Sequence, residues 1–246
     1  MHEAPESVHL ANGSRPQPQP WAAFRELVIG YGTLVVSLVA IGLLLAHPLD
    51  GSVGRWDLDA NQWFASRRDG AWTSVSGFLS LLLDTLPVIG IAVVAVALFV
   101  WRHRVHEALV IAVGLALEIT VFLSVTFLVA RPRPDVSRLS SAPMTSSFPS
   151  GHTAASVVLY GGLALGLSCC TRNRLIRALV WIGAGVVVIG VGVARVYRGM
   201  HHPTDVMVGV AFGVACLWFA WHAVRAYFPG PHIWAGEVVP LFPNVW

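Results

Sequence analysis

Residues 175–228 read LIRALVWIGAGVVVIGVGVA (175–194), RVYRGMHHPTD (195–205) and VMVGVAFGVACLWFAWHAVRAYF (206–228). Two predominantly apolar runs flank a short polar segment. The hydrocarbon core of a bilayer needs about 20 apolar residues per helix, so this stretch predicts two membrane-spanning helices joined by a polar turn at a membrane edge. Four more runs approach that length: Leu27–Ala46, Phe78–Trp101, Ala108–Ala130 and Ala154–Cys170. Asp84 and Pro87 interrupt the second, which places its true start near Leu86. Arg177 and Arg225 lie near helix ends, where long side chains reach the interface. The expectation is an all-α, six-transmembrane-helix bundle over residues 27–228. Polar tails flank it at 1–26 and 229–246.

Composition agrees. Of the 246 residues, 55% are hydrophobic and 12% charged, against roughly a quarter charged in soluble domains. All sixteen basic residues are arginine, and the net charge of +3 is too small and scattered for nucleic acid. Cys169, Cys170 and Cys216 form no disulfide framework or metal-ligand spacing and suit helix packing, with acylation of the adjacent pair the alternative. The first 26 residues carry Glu3, Glu6, Glu26 and the run RPQPQP (15–20), the composition of a disordered tail without a cleavable signal.

An even number of spans puts both termini on one side. That side holds Arg15, Arg25, Arg102, Arg104, Arg172, Arg174, Arg177 and Arg225. Once the arginines of the polar clusters and their neighbours are set apart, the other side keeps only Arg55, Arg67 and Arg68 among several aspartates. The positive-inside bias then places the termini in the cytoplasm and the clusters outside. Between the first two spans, tryptophans 56 and 63 alternate with charges. That pattern suits either an interfacial helix around Asp57–Arg67 or a loop with anchoring tryptophans.

Three polar clusters sit where apolar runs begin or end. In Arg131-Pro-Arg-Pro134, proline biases its predecessor toward extended geometry, so the third helix should stop here. Residues two apart in an extended segment point the same way, which would aim Arg131 and Arg133 at one ligand. Guanidiniums hold phosphate oxygens by forked hydrogen bonds, although arginines beside a span also serve as interfacial anchors. In Pro149-Ser-Gly-His152, Ser150 suits an N-cap and the helix start favours an anion. His152 there either donates a proton to a leaving oxygen or is incidental to the cap. In the third cluster, His201 and Asp205 are four apart at the start of the sixth span. A hydrogen bond between them would fix the imidazole tautomer and free the other nitrogen to attack. His202 competes for that role at a poorer spacing.

Together the clusters resemble the phosphatidic acid phosphatase type 2 superfamily of membrane lipid phosphatases, relatives of the vanadium haloperoxidases. The family pattern is Lys-x6-Arg-Pro, Pro-Ser-Gly-His, then Ser-Arg-x5-His-x3-Asp. Arg133-Pro134, Pro149–His152, and Arg195, His201 and Asp205 match it at the family's spacing. Thr126 replaces the family lysine, and Ala194 the serine before Arg195. The resemblance implies His201 as nucleophile, Asp205 as its orienting partner and His152 as general acid. It implies that Arg133, Arg195, Ser150 and the Gly151 N–H cradle the phosphoryl oxygens, with Arg131 a further candidate, and that neither metal nor cofactor is required. The expected substrate is a membrane lipid phosphate or diphosphate: phosphatidate, phosphatidylglycerophosphate or a prenyl diphosphate. A lipid phosphotransferase and a catalytically silent phospholipid-binding protein are the alternatives.

Glu118 lies fifteen positions before Arg133, about 22 Å along a helix at 1.5 Å per residue. On that spacing it reads as a buried contact between helices, apart from the phosphate site. His222 reads as interfacial, and the glycine-rich stretches 183–192 and 209–213 as helix-packing surfaces.

Overall fold

The computed structural model describes residues 17–82, 85–141 and 145–228. Among these residues the fold is all-helical, with eight α-helices and no strand. Helix α1 spans Pro20–Ala46 and begins on a proline, whose fixed φ and missing N–H suit a first turn. Residues 20–26, expected to belong to a tail, are thus helical, and the Gln19 N–H is anchored by the Tyr227 carbonyl at 2.9 Å. The rest of the expected tails, 1–16 and 229–246, lies outside the described residues.

After a π-helical turn at Asp50–Gly54 comes α2, Arg55–Ser66, close to the helix read at 57–67. The apolar run 78–101 divides into α3 (Gly70–Leu82) and α4 (Thr85–Trp101). Helix α5 runs Val105–Val129, α6 Gly151–Ser168, α7 Arg174–Tyr197 and α8 Pro203–Tyr227. Four of these (α1, α5, α7 and α8) are long and apolar enough to cross a membrane, and Leu86–Trp101 is a shorter apolar helix.

Helix α6, 18 residues long, sits inside the bundle against α5, α7 and α8. Its small residues permit this. A methyl group added at Gly162 would lie 2.7 Å from Ile111, and at Gly161 2.8 Å from Leu217. Enclosure by protein also explains why its polar start is tolerated. The main core joins Leu34 and Leu38 of α1, Val121 and Val125 of α5, Val158 of α6, and Phe212 and Cys216 of α8. By contrast, Val36, Val93, Ile182, Val186 and Ile189 are exposed on the outside of the bundle. Monomeric soluble proteins rarely expose apolar side chains to that extent, and such a surface suits contact with lipid.

Candidate active site

All three polar clusters meet at one end of the bundle. Helix α5 ends at Val129, and Ala130 adopts a left-handed conformation (φ 50°) that turns the chain away. The segment 131–133 then lies beside 146–147: the Ser147 N–H donates to the Arg131 carbonyl (3.0 Å), and Ser147 Oγ to that of Pro132 (2.9 Å). The Ser150 N–H donates to the Asp205 carbonyl at 3.1 Å, tying the start of α6 to the first turn of α8. That approach needs glycine at 209, where a methyl group would sit 2.7 Å from the Ser150 carbonyl oxygen.

A cavity of about 500 Å³ opens between these elements, with Arg133, Gly151, His152, Arg195 and His201 in its wall. His201 is 4% exposed, and its Nδ1 lies 2.6 Å from the Ser147 carbonyl. A carbonyl only accepts, so Nδ1 carries the hydrogen and Nε2 keeps its lone pair. Burial, and then the positive charges of Arg195 and Arg133, hold this histidine well below the usual imidazole range. The result is a neutral imidazole among cations.

The expected His201–Asp205 hydrogen bond is replaced by that carbonyl contact. Asp205 Oδ2 lies 4.0 Å from His201 Nδ1, because both its oxygens are engaged elsewhere. Oδ1 accepts from Arg131 Nη1 at 2.5 Å and Oδ2 from the His202 backbone N–H at 2.9 Å. Asp205 therefore organises the turn that carries His201 without holding the ring directly.

The two neighbouring arginines also part company. Arg133 lines the cavity, with Nη1 donating to the Met200 carbonyl at 2.6 Å and a buried Nε that has no partner among the described residues. Arg131, expected to face the same ligand, turns instead into the protein. Its Nη2 donates to Asp57 Oδ2 (2.8 Å) and its Nη1 to Asp205. The segment is not a regular strand, so two-residue periodicity does not govern it. Arg195 reaches across to Ser80 of α3, Nη1 to Oγ 3.0 Å.

Ser150 takes the N-cap position of α6 without capping by its side chain; its hydroxyl pairs with Thr153 Oγ1 at 2.9 Å. Thr126, at the family lysine's position, is buried with an unpartnered hydroxyl among the described residues and is not in the cavity wall. Neutral His202, held down to about 4 by burial and the Arg131 charge, packs its Nε2 3.3 Å from the Pro132 carbonyl. Among the described residues no three His, Cys, Asp or Glu side chains gather as a metal-ligand set.

Two residues escaped the sequence. Asp57 of α2 is fully buried, and beyond Arg131 it accepts from the Thr204 N–H (3.0 Å) and Thr204 Oγ1 (2.5 Å). Its only sequence signal is an acid and Asn61 four apart on an amphipathic helix, both facing inward. Glu118 is the second. The spacing estimate placed it far from Arg133, yet both line the same cavity. The cavity runs along α5 from Leu115 to Phe122, so depth along the helix does not remove a side chain from its wall. Below the polar groups the wall is apolar. It includes Ile89 and Val93 of α4 and Ile119 of α5, all of them exposed (52%, 62% and 46%).

A family model described as the PAP2 superfamily matches residues 107–229. Phosphatidylglycerophosphatase B of Bacillus subtilis (strain 168) is 34% identical over 90 residues, covering 35% of this chain and 42% of that one, less than half its length. A provisionally named undecaprenyl-diphosphatase of Escherichia coli (strain K12) is 30% identical over 158 residues, covering 61% of this chain and 73% of the other. Among solved structures, a transmembrane PAP2-type phosphatidylglycerolphosphate phosphatase from Bacillus subtilis shares the fold. Its TM-score is 0.65 at 24% identity, over 76% of this chain and 93% of that one.

Proposed function

The chain belongs to the PAP2 superfamily, and from that premise we propose that it is a membrane-embedded lipid phosphate or diphosphate phosphatase working through a phosphohistidine. The observation that carries the reading is a buried neutral imidazole, His201, with Nδ1 engaged and Nε2 available, in one cavity wall with His152, Arg133 and Arg195.

The chemistry follows from those groups. The Nε2 lone pair of His201 forms the N–P bond as the bond from phosphorus to the leaving oxygen breaks. Proton-bearing His152 delivers its proton to that oxygen, releasing lipid alcohol or lipid phosphate. Water then attacks phosphorus, the N–P bond breaks, and His152 takes the water's proton as inorganic phosphate leaves. Arg133 and Arg195 stabilise charge on the equatorial oxygens, with the Gly151 N–H and Ser150 at the start of α6 beside them. Asp205, held by Arg131, whose other nitrogen Asp57 holds in turn, positions the 200–202 turn and supports the charge that develops on His201. Arg131 serves that scaffold rather than the phosphate.

The apolar lower cavity suits the lipid chain, entering sideways between α4 and α5. Six spans arise if Leu86–Trp101 and α6 cross the bilayer with the four longer helices. Exposed Trp56 and Trp63 on α2 suit the headgroup level. The arginine distribution supports cytoplasmic termini and an outward-facing site in the cell membrane. The test is phosphate release by the purified protein in detergent from phosphatidate, phosphatidylglycerophosphate and a prenyl diphosphate, with and without chelator. Chelator-resistant release that His201→Ala abolishes is expected. Transfer to a lipid acceptor without free phosphate, or a magnesium requirement, overturns it.

A further inference from the structure

Among the described residues, Glu118 is the one acidic side chain in the cavity wall. It is 3% exposed, and among the described residues it makes no hydrogen bond or ion pair. Protein interiors rarely leave a buried carboxyl group without a partner. A methyl group at Gly151 would lie 3.0 Å from the Phe122 ring, so the start of α6, with His152, is level with Phe122 of α5. Glu118 is four residues earlier on the same helix, one turn or about 6 Å deeper. The walls at that depth, Leu115, Ile119, Ile89 and Val93, are hydrocarbon.

What a lipid presents 6 Å inside its phosphoryl group distinguishes the substrate classes. In a glycerolipid phosphate those atoms are the glycerol backbone, with hydroxyl or ester oxygens. In a prenyl phosphate they are isoprenoid carbon and methyl groups, which neither donate nor accept. A prenyl chain would leave the Glu118 carboxyl without a partner and without water; a glycerol backbone would complete it. We infer that Glu118 is a specificity-determining residue that hydrogen-bonds the glycerol backbone of a glycerolipid phosphate, making this class the preferred substrate over prenyl phosphates. The inference rests on the phosphatase reading and on the cavity being the lipid's seat. It adds a selecting group that the family's sequence motifs do not contain.

The experiment compares kcat/KM for dioleoyl phosphatidate, oleoyl lysophosphatidate and farnesyl phosphate in one detergent, for the native protein, Glu118→Gln and Glu118→Leu. All three substrates are monoesters, so the bond broken is the same. The native protein is expected to prefer both glycerolipids. Glu118→Leu shifts the glycerolipid-to-farnesyl ratio about tenfold toward farnesyl phosphate, the loss of one hydrogen bond. Glu118→Gln, which keeps an acceptor and a donor, holds the ratio within about threefold of native. The lysophosphatidate arm separates a hydroxyl partner from an ester one. An unchanged ratio in Glu118→Leu overturns the inference, as does a native preference for farnesyl phosphate; either leaves the phosphatase reading standing. Should Glu118→Leu fail to fold, the native preference and the Glu118→Gln ratio still decide. Phosphate release from none of the three, nor from a diphosphate, would sink the phosphatase reading itself.

Discussion

Replacing Asp57 by alanine removes a carboxylate that no solvent reaches and that three groups use. Arg131 Nη2, the Thr204 N–H and Thr204 Oγ1 all donate to it, at 2.8, 3.0 and 2.5 Å. Arg131, 4% exposed, would keep only Asp205 as a charge partner, and two Thr204 donors at the start of α8 would lose their acceptor. Breaking a buried ion pair by removing one partner costs about 3–5 kcal/mol. For a chain of this size each kcal/mol corresponds to about 2–4 °C in Tm, so a fall of roughly 6–20 °C is expected. Asp57→Asn, which keeps an oxygen for Thr204 but not the charge, should fall by less. Arg131→Ala should fall by more, since it leaves two buried carboxylates, Asp57 and Asp205, without their cation. Thermal unfolding in detergent, followed by the fluorescence of the ten tryptophans, measures all three beside phosphatase activity. A Tm for Asp57→Ala within about 2 °C of native, or Arg131→Ala milder than Asp57→Ala, would refute the scaffold described for α2 and α8.

Other outcomes test the site from different directions. His201→Ala should abolish turnover, while His152→Ala should lower it by about 10²–10⁴-fold, the usual share of general acid catalysis; single-turnover phosphate release separates them. His202 is held at about 4 in the fold against 6.5 for the free side chain. The unfolded chain therefore takes up that proton first as pH drops. The stability involved is complete above pH 6.5 and lost as pH falls from 6.5 toward 4, about 3 kcal/mol at 1.36 kcal/mol per unit. A Tm that stays flat or rises over that window contradicts the assignment. His201, depressed in the same sense, should keep the acid limb of kcat below the ordinary imidazole range in a pH–rate profile. Gly209→Ala pushes a methyl group to 2.7 Å from the Ser150 carbonyl. It should lower kcat by displacing the start of α6, with less effect on Tm than Asp57→Ala.

Local chemistry carried a large part of this molecule in the sequence. Apolar runs near bilayer length marked the long helices, because a membrane demands continuous hydrocarbon wherever a helix crosses it. Arg133, His152, Arg195 and His201 were legible because each stands at a run's end, where proline, an N-cap serine or a charge must interrupt the apolar pattern. Asp84 and Pro87 marked the break before α4, which starts at Thr85 beside the Leu86 read from them, whereas the extra turns of α1 were less visible because Arg25 and Glu26 end the apolar run without ending the helix.

Tertiary structure alone decided who partners whom. Periodicity aimed Arg131 and Arg133 at one ligand, and four-residue spacing paired His201 with Asp205. Packing gave Arg131 to Asp57 and Asp205, and gave His201 to the carbonyl of Ser147. Those partners are separated by 74 and 54 positions along the chain, and a backbone carbonyl has no residue-specific signature. Glu118 shows the same limit: distance along the helix set it apart from Arg133, yet not from the cavity wall that both share. Helix length and hydrophobicity are properties of consecutive residues, whereas burial and hydrogen-bond pairing depend on which surfaces the bundle brings together.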